Sequence, residues 1–238
     1  MPDGAAPPAR IGPNAVLQLL AVLDARGDAT ARDRVLARAG LDALPSGDAM
    51  IAEDMAVRLH HALRHELPQE APSILRDAGR RTADYLLAHR IPRAAHRLLR
   101  ALPPPLSARL LTAAISRHAW TFAGSGRFRA IRRDRFEIAD NAFARGVSAD
   151  HALCVWHEAV FARLYGELVA SDIVCIETAC AARDPGGVCR FELTLGHALH
   201  RDDQIGAPFE PLKTGCPTRP GARSRRRRHE GGQGCNGP

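Results

Sequence analysis

One lysine, Lys213, stands in 238 residues, so 32 of the 33 basic side chains are arginine. Aromatic residues are scarce at 5%. No run of about 18 apolar residues occurs, which excludes a helix that crosses a bilayer. The opening MPDGAAPPAR lacks the charged start and apolar core of a secretory signal. The expected compartment is therefore a reducing cytoplasm, where structural disulfides are rare. No G-x-G-x-x-G follows a strand and opens a helix, and Gly124-Ser125-Gly126 is too short to serve. No flavin motif, four-cysteine iron–sulfur spacing, ATPase P-loop or helix-turn-helix is present. Many cofactor sites carry no motif, so these absences leave catalysis open.

Charge is unevenly spread. Residues 201–238 hold eight basic and four acidic side chains, and so four of the seven net positive charges. The body is nearly balanced, which argues against specific nucleic-acid binding by the folded part. Gly, Pro and the run RSRRRRH at Arg223–His229 make 201–238 an expected disordered basic tail.

What is present is first a helical half. Pro13 precedes AVLQLLAVLD. Met55, Leu59 and Leu63 recur every four residues in 49–66. Pro72 and Pro92 open two further helices, and Leu106 to about His118 reads as another. The character then changes. Residues around Gly124-Ser125-Gly126 predict strand–turn–strand, and Phe136–Ala139 predicts a third strand. The spacing of Leu153, Trp156, Val160, Leu164 and Leu168 predicts a buried helix over 149–170. Asp172–Ala181 and Val188–Leu195 predict a hairpin turning at Asp184-Pro185-Gly186-Gly187. The layout is α+β, a helical layer packed with a small antiparallel sheet.

The cysteines carry the chemistry. Counting from the turn sets Cys180 opposite Cys189. Directly opposed Cβ atoms sit about 5 Å apart, wider than the roughly 3.8 Å of a relaxed disulfide, but two thiolates there can share a zinc ion. Alternation puts Val174, Ile176, Thr178 and Cys180 on one strand face, and Ile173, Cys175, Glu177 and Ala179 on the other. Cys154 and His157 form C-x-x-H in the long helix and would share a face. Cys154, His157, Cys180 and Cys189 are thus a candidate tetrahedral set, with Glu137 as a substitute for the histidine. The alternative is that the cysteines are small buried residues, which is the expectation for Cys175.

Phe136 to Gly196 resembles the 4-vinyl-reductase domain, whose marks here are Cys154, Cys180, Gly186-Gly187 and Cys189-Arg190-Phe191. The same domain occurs in bacterial phenol-responsive activators, where three cysteines and a glutamate hold zinc. Cys154, Cys180 and Cys189 match those cysteines by order and approximate spacing; Glu137 is the candidate glutamate, and His157 has no counterpart. RIGPNAVLQL, WHEAVFARLY and CRFEL extend the likeness to the bacteriochlorophyll 4-vinyl reductase family of purple photosynthetic bacteria. The resemblance implies a fold like the subunits of vesicle-tethering complexes, often dimeric. It implies a bacteriochlorophyll-synthesis protein acting at the vinyl-reduction stage on divinyl protochlorophyllide or chlorophyllide, alongside other pathway enzymes. NADPH enters only if the chain itself is the reductase. The alternative is a non-catalytic carrier of a magnesium tetrapyrrole, or an assembly factor for enzymes such as magnesium chelatase. His60, His61, His65, His89 and His96 could each supply an axial imidazole, and Arg58, Arg64, Arg93 and Arg97 a carboxylate partner. A ligand sensor fits less well, because no output module is present.

The expected organisation is a flexible stretch at 1–9, a helical part at 10–135, the 4-vinyl-reductase domain at 136–200 and the tail. The expected location is the cytoplasm, at the periphery of the photosynthetic membrane.

Overall fold

A computed structural model describes residues 9–195, with the side chain of Leu195 left aside. The N-terminal eight residues lie outside the described residues. So does everything from Gly196 on, including the basic run, Cys216 and Cys235.

The chain opens with a short strand, β1 (Arg10–Ile11), and enters α1 (Asn14–Ala25) with Pro13 as its N-cap. Val16, Leu19, Leu20 and Leu23 form the buried stripe of α1. The sequence reading passed over α2 (Ala29–Ala39), although its ends are well marked. The Asp28 side chain accepts from the Ala31 N–H at 2.9 Å, and Gly40 ends the helix in the left-handed region. β2 (Ile51–Ala52) pairs antiparallel with β1 and leads directly into α3 (Glu53–Glu66). Then come α4 (Ala71–His89), α5 (Arg93–Ala101), α6 (Pro104–Arg117) and the single turn α7 (Trp120–Ala123). Proline stands at the start of α4, α5 and α6, where its missing N–H removes nothing.

Four antiparallel strands follow: β3 (Arg127–Arg132), β4 (Arg135–Ala139), β5 (Ile173–Ala179) and β6 (Val188–Leu195), in the spatial order β3-β4-β6-β5. Between β4 and β5 runs α8 (Val155–Leu168), lying between α4 and the sheet. Trp156, Val160, Phe161, Leu164, Tyr165 and Leu168 are all buried, which is why α8 reads as apolar nearly all round. Gly79 permits the close approach of α4. A Cβ there would lie 2.5 Å from the Trp156 carbonyl oxygen and 2.7 Å from the Ala159 Cβ. Below α8, Phe136, Phe161 and Phe191 stack against one another at ring-centroid distances of 5.2 and 5.5 Å. The architecture is the α+β arrangement expected, a helical layer on a small antiparallel sheet.

Two local expectations fail for physical reasons. Gly124-Ser125-Gly126 is not the tip of a hairpin. It follows α7, and β3 turns into β4 at Arg133-Asp134 instead. The glycines let the chain wrap a carboxylate: the Ser125 N–H and Oγ both bond to Glu53, and a Cβ on Gly124 would strike that side chain. The long helix also starts six residues later than 149. Over 149–154 the backbone is tied to the hairpin, with the Ala149 N–H on the Ala182 carbonyl at 3.0 Å and the Cys154 N–H on Glu177 at 2.7 Å. Cys154 therefore caps α8, and the C-x-x-H face does not exist as a helical feature.

Candidate metal centre

The hairpin β5–β6 sets up the site through an irregularity. Glu177 pairs with Phe191, but Ala179 pairs with Arg190, so Thr178 is an extra residue in β5. Before the bulge, Cys175 and Glu177 face the core while Val174 and Ile176 face solvent. The extra residue inverts the phase, and Cys180 returns to the core side that strict alternation denies it. Continuing the shifted ladder brings Cys180 level with Cys189, as the count from the turn requires.

The result is a buried cluster of Cys154, Glu177, Cys180 and Cys189, with one ligand atom from each all within 4.8 Å of one another. Cys154 and Cys189 Sγ are 3.4 Å apart. Three elements contribute: the cap of α8, the bulged end of β5 and the start of β6. All four residues are at most 5% exposed.

The electrostatics are those of a site short of positive charge. Burial pushes the Glu177 carboxyl up to about 8, against hydrogen bonds from Cys154 that pull it down. Its Oε2 accepts the Cys154 N–H, while its Oε1 is buried with no hydrogen-bond partner among the described residues. Hydrogen bonds from the Cys154 and Cys189 thiols hold Cys180 far below the ordinary thiol range. Cys154 is raised well above it, by its hydrogen bonds to Cys180 and Cys189 and by burial. At Cys189 a hydrogen bond from Cys154 pulls down, but the Cys180 sulfur and burial prevail and raise it to about 12. One sulfur thus sheds its proton readily and the other groups resist. The cluster could hold a metal ion, and the orphaned Glu177 oxygen among three sulfurs fits one. A cation would let all four donors ionise together. Outside the set, the Asn141 Nδ2 donates to Cys154 Sγ at 3.2 Å.

The structure brings Cys154, Cys180 and Cys189 together and places His157 and Glu137 elsewhere. His157 points away from the sulfurs, among Phe122, Phe143 and Phe161, and its Nε2 donates to the Phe122 carbonyl at 3.4 Å. Burial lowers it to about 4. Glu137 lies on the opposite sheet face, where both Arg190 Nε and Nη2 bond its Oε1 at 2.9 and 2.8 Å. The fourth donor is Glu177, missed because alternation separated it from Cys180. A signal was available: it shares the core-facing side of β5 with Cys175, and a carboxylate there is a buried charge in need of a partner.

Of the candidate imidazoles, His60 is buried and bonded through Nε2 to the Ala15 carbonyl at 3.0 Å, and His61 meets the Phe143 carbonyl at 3.3 Å. His65 and His89 are exposed and His96 is half-buried. Arg58 binds Asp54 and the carbonyls that end α2. A groove of about 480 Å³ between α4, α8 and the β5 edge is lined by Ala159, Ala162, Ile173 and Val174, with Arg76 and Arg80 beside them. No helix is long and apolar enough to cross a membrane.

Comparison with known proteins places these features. The family profile of the vinyl-4-reductase domain matches residues 134–195, which hold the whole cluster. The Bacteriochlorophyll synthase 23 kDa chain of Cereibacter sphaeroides is 50% identical over 186 residues, 77% of this chain and 90% of that one. Its namesake in Rhodobacter capsulatus is 45% identical over 186 residues, covering 77% and 86%. Among solved structures, the Fe(II) unliganded H-NOX protein from K. algicida shares the fold at a TM-score of 0.50 and 9% identity, over 77% of this chain and 96% of that one. Identity of this level across nine tenths of a relative is a matter of common descent, and the chain belongs to the family of the bacteriochlorophyll synthase 23 kDa chain, with a vinyl-4-reductase domain as its C-terminal portion.

Proposed function

We propose that the protein serves bacteriochlorophyll synthesis at the vinyl-reduction stage as a binding and assembly subunit, built around a structural zinc. It would present divinyl protochlorophyllide or chlorophyllide to other pathway enzymes, including magnesium chelatase. One observation carries the reading: the cluster offers four protein donors, all buried, from three different elements. A zinc held by four protein ligands has no open position for substrate. Three thiolates and a carboxylate favour zinc over harder ions. Cys154, Glu177, Cys180 and Cys189 would hold it, and the ion would fasten the α8 cap to the hairpin. The relatives' names support the pathway. The groove beside β5 supports pigment handling, since it sets aliphatic side chains next to two guanidinium groups suited to a carboxylate. The subunit would work beside the membrane rather than within it, as a homodimer or with its enzyme partners.

The test is anaerobic mixing of the purified protein with divinyl protochlorophyllide, with and without NADPH, followed by absorption spectroscopy and chromatography. A shifted Soret band without conversion supports the carrier. Conversion to the monovinyl pigment makes the chain itself the reductase and overturns the non-catalytic reading. Elemental analysis of untagged protein purified without chelator should give one zinc per chain.

A further inference from the structure

We infer that Arg64, on α3 and outside the matched domain, is the positioning residue that neutralises the metal centre from the helical half; the inference rests on the metal reading above. Three thiolates and a carboxylate around a divalent cation leave two excess negative charges in a buried site. Such a site binds tightly only if a fixed positive group stands near it. Among Arg, Lys and His of the matched region, Arg190 is engaged with Glu137 on the far sheet face, and His157 is neutral and turned into the aromatic core. Arg64 is different. Its Nη2 donates to the Leu153 carbonyl at 2.9 Å, one residue before the ligand Cys154. Its Nη1 is buried without a hydrogen-bond partner among the described residues. A guanidinium enclosed with one end unpaired is unfavourable unless a negative charge compensates it. The groups whose charges favour its cationic form are Cys154, Cys180 and Glu177, three of the four donors. Arg64 and the cluster thus each lack what the other supplies, and the hydrogen bond to Leu153 fixes the loop that carries Cys154. Asn141, donating to Cys154 Sγ, is the neutral counterpart on the other side.

The experiment separates charge from hydrogen bonding. Arg64→Gln keeps an N–H donor and loses the charge, whereas Arg64→Lys keeps the charge. Zinc affinity is measured by chelator competition, and the thiolate-to-metal charge-transfer band is read after replacement by Co²⁺. The expected result is at least a tenfold loss of zinc affinity and a longer-wavelength cobalt band in Arg64→Gln, a size usual for groups behind the ligands. Arg64→Lys should stay within about threefold of the parent. Parent affinity in Arg64→Gln, or an equal loss in Arg64→Lys, overturns the inference. If Arg64→Gln fails to fold, Arg64→Met against Arg64→Lys decides by the same comparison. A parent chain that holds no zinc removes the metal reading and this inference with it, whereas a zinc-bound parent matched by Arg64→Gln removes the inference alone.

Discussion

Two buried carboxylates sit in this protein, and only one has its partners. Glu53, 6% exposed at the start of α3, receives the Ser125 N–H, the Ser125 hydroxyl at 2.8 Å and the Arg145 guanidinium at 2.9 Å. Glu177, 5% exposed on β5, receives the Cys154 N–H and leaves its other oxygen bare. The first is complete within the chain: it joins α3 to the loop before β3 and asks for nothing further. The second is incomplete, faces three sulfurs and needs a cation. Burial alone does not mark a functional carboxylate; unmet bonding capacity does.

The largest expected effect separates the two by metal. Stripping the protein with a chelator should lower its unfolding free energy by roughly 5 kcal/mol, because structural metal binding is coupled to folding. Cys180→Ser should behave like the stripped parent and gain nothing from added zinc. Thermal melts with and without metal check both, and equal melting temperatures for loaded and stripped parent would break the comparison. Glu53→Ala comes next. It leaves the Ser125 N–H and Arg145 unpaired, at about 3 kcal/mol. Since Glu53 is complete without metal, urea unfolding should show the same loss in loaded and stripped protein.

This contrast also shows how far the sequence could be read. Helices with proline at their starts and a stripe such as Met55, Leu59 and Leu63 declare themselves locally, and so does the turn at Asp184-Pro185-Gly186-Gly187. Cys154, Cys180 and Cys189 were legible by their order. The two carboxylates were not, because each is defined by a contact remote in sequence. Glu53 meets Ser125 at 72 residues' separation, and this turns Gly124-Ser125-Gly126 from an apparent hairpin tip into a carboxylate cradle. Glu177 was placed on the wrong side of Cys180 because alternation assumes an unbroken ladder, and the bulge at Thr178 is a register shift without a glycine to announce it. Helical spacing likewise carried Cys154 into α8. The tie between Cys154 and Glu177 that keeps it out has no local signature.

Histidine sharpens the comparison through pH. His157 is used by neither carboxylate, and burial lowers it to about 4 from 6.5. The unfolded chain therefore binds a proton between those values that the folded chain refuses, so stability rises with pH across the window. From pH 6.5 down to pH 5 the loss from His157 alone should be about 2 kcal/mol. His60, lowered in the same sense chiefly by burial, adds to it. His157→Gln should flatten this slope in urea-unfolding midpoints. An unchanged slope would mean that the acid loss comes from the cluster instead.

The smallest expected effect is the most discriminating, since it changes sign. In metal-free protein Glu177 is raised to about 8 from 4.5, so the folded chain holds a proton there that the unfolded chain releases. Its contribution is fully present below pH 4.5 and is lost as pH rises through about 8, the reverse of the histidine slope. Glu177→Gln removes that loss. At pH 8 the stripped variant should be more stable than the stripped parent by on the order of 1 kcal/mol, since an unpaired buried carboxylate has been replaced by a neutral amide. With zinc bound the order reverses, because the amide cannot supply the fourth anionic donor, and zinc affinity should fall at least tenfold. Glu53→Gln should show no such reversal, since both states of the protein lose the same bonds to Ser125 and Arg145. Paired denaturation curves of the two glutamine variants, each with and without zinc, read the difference directly. A reversal confined to position 177 marks the carboxylate left unfinished by the chain, whereas a loss of the same sign in both states would make Glu177 as structural as Glu53.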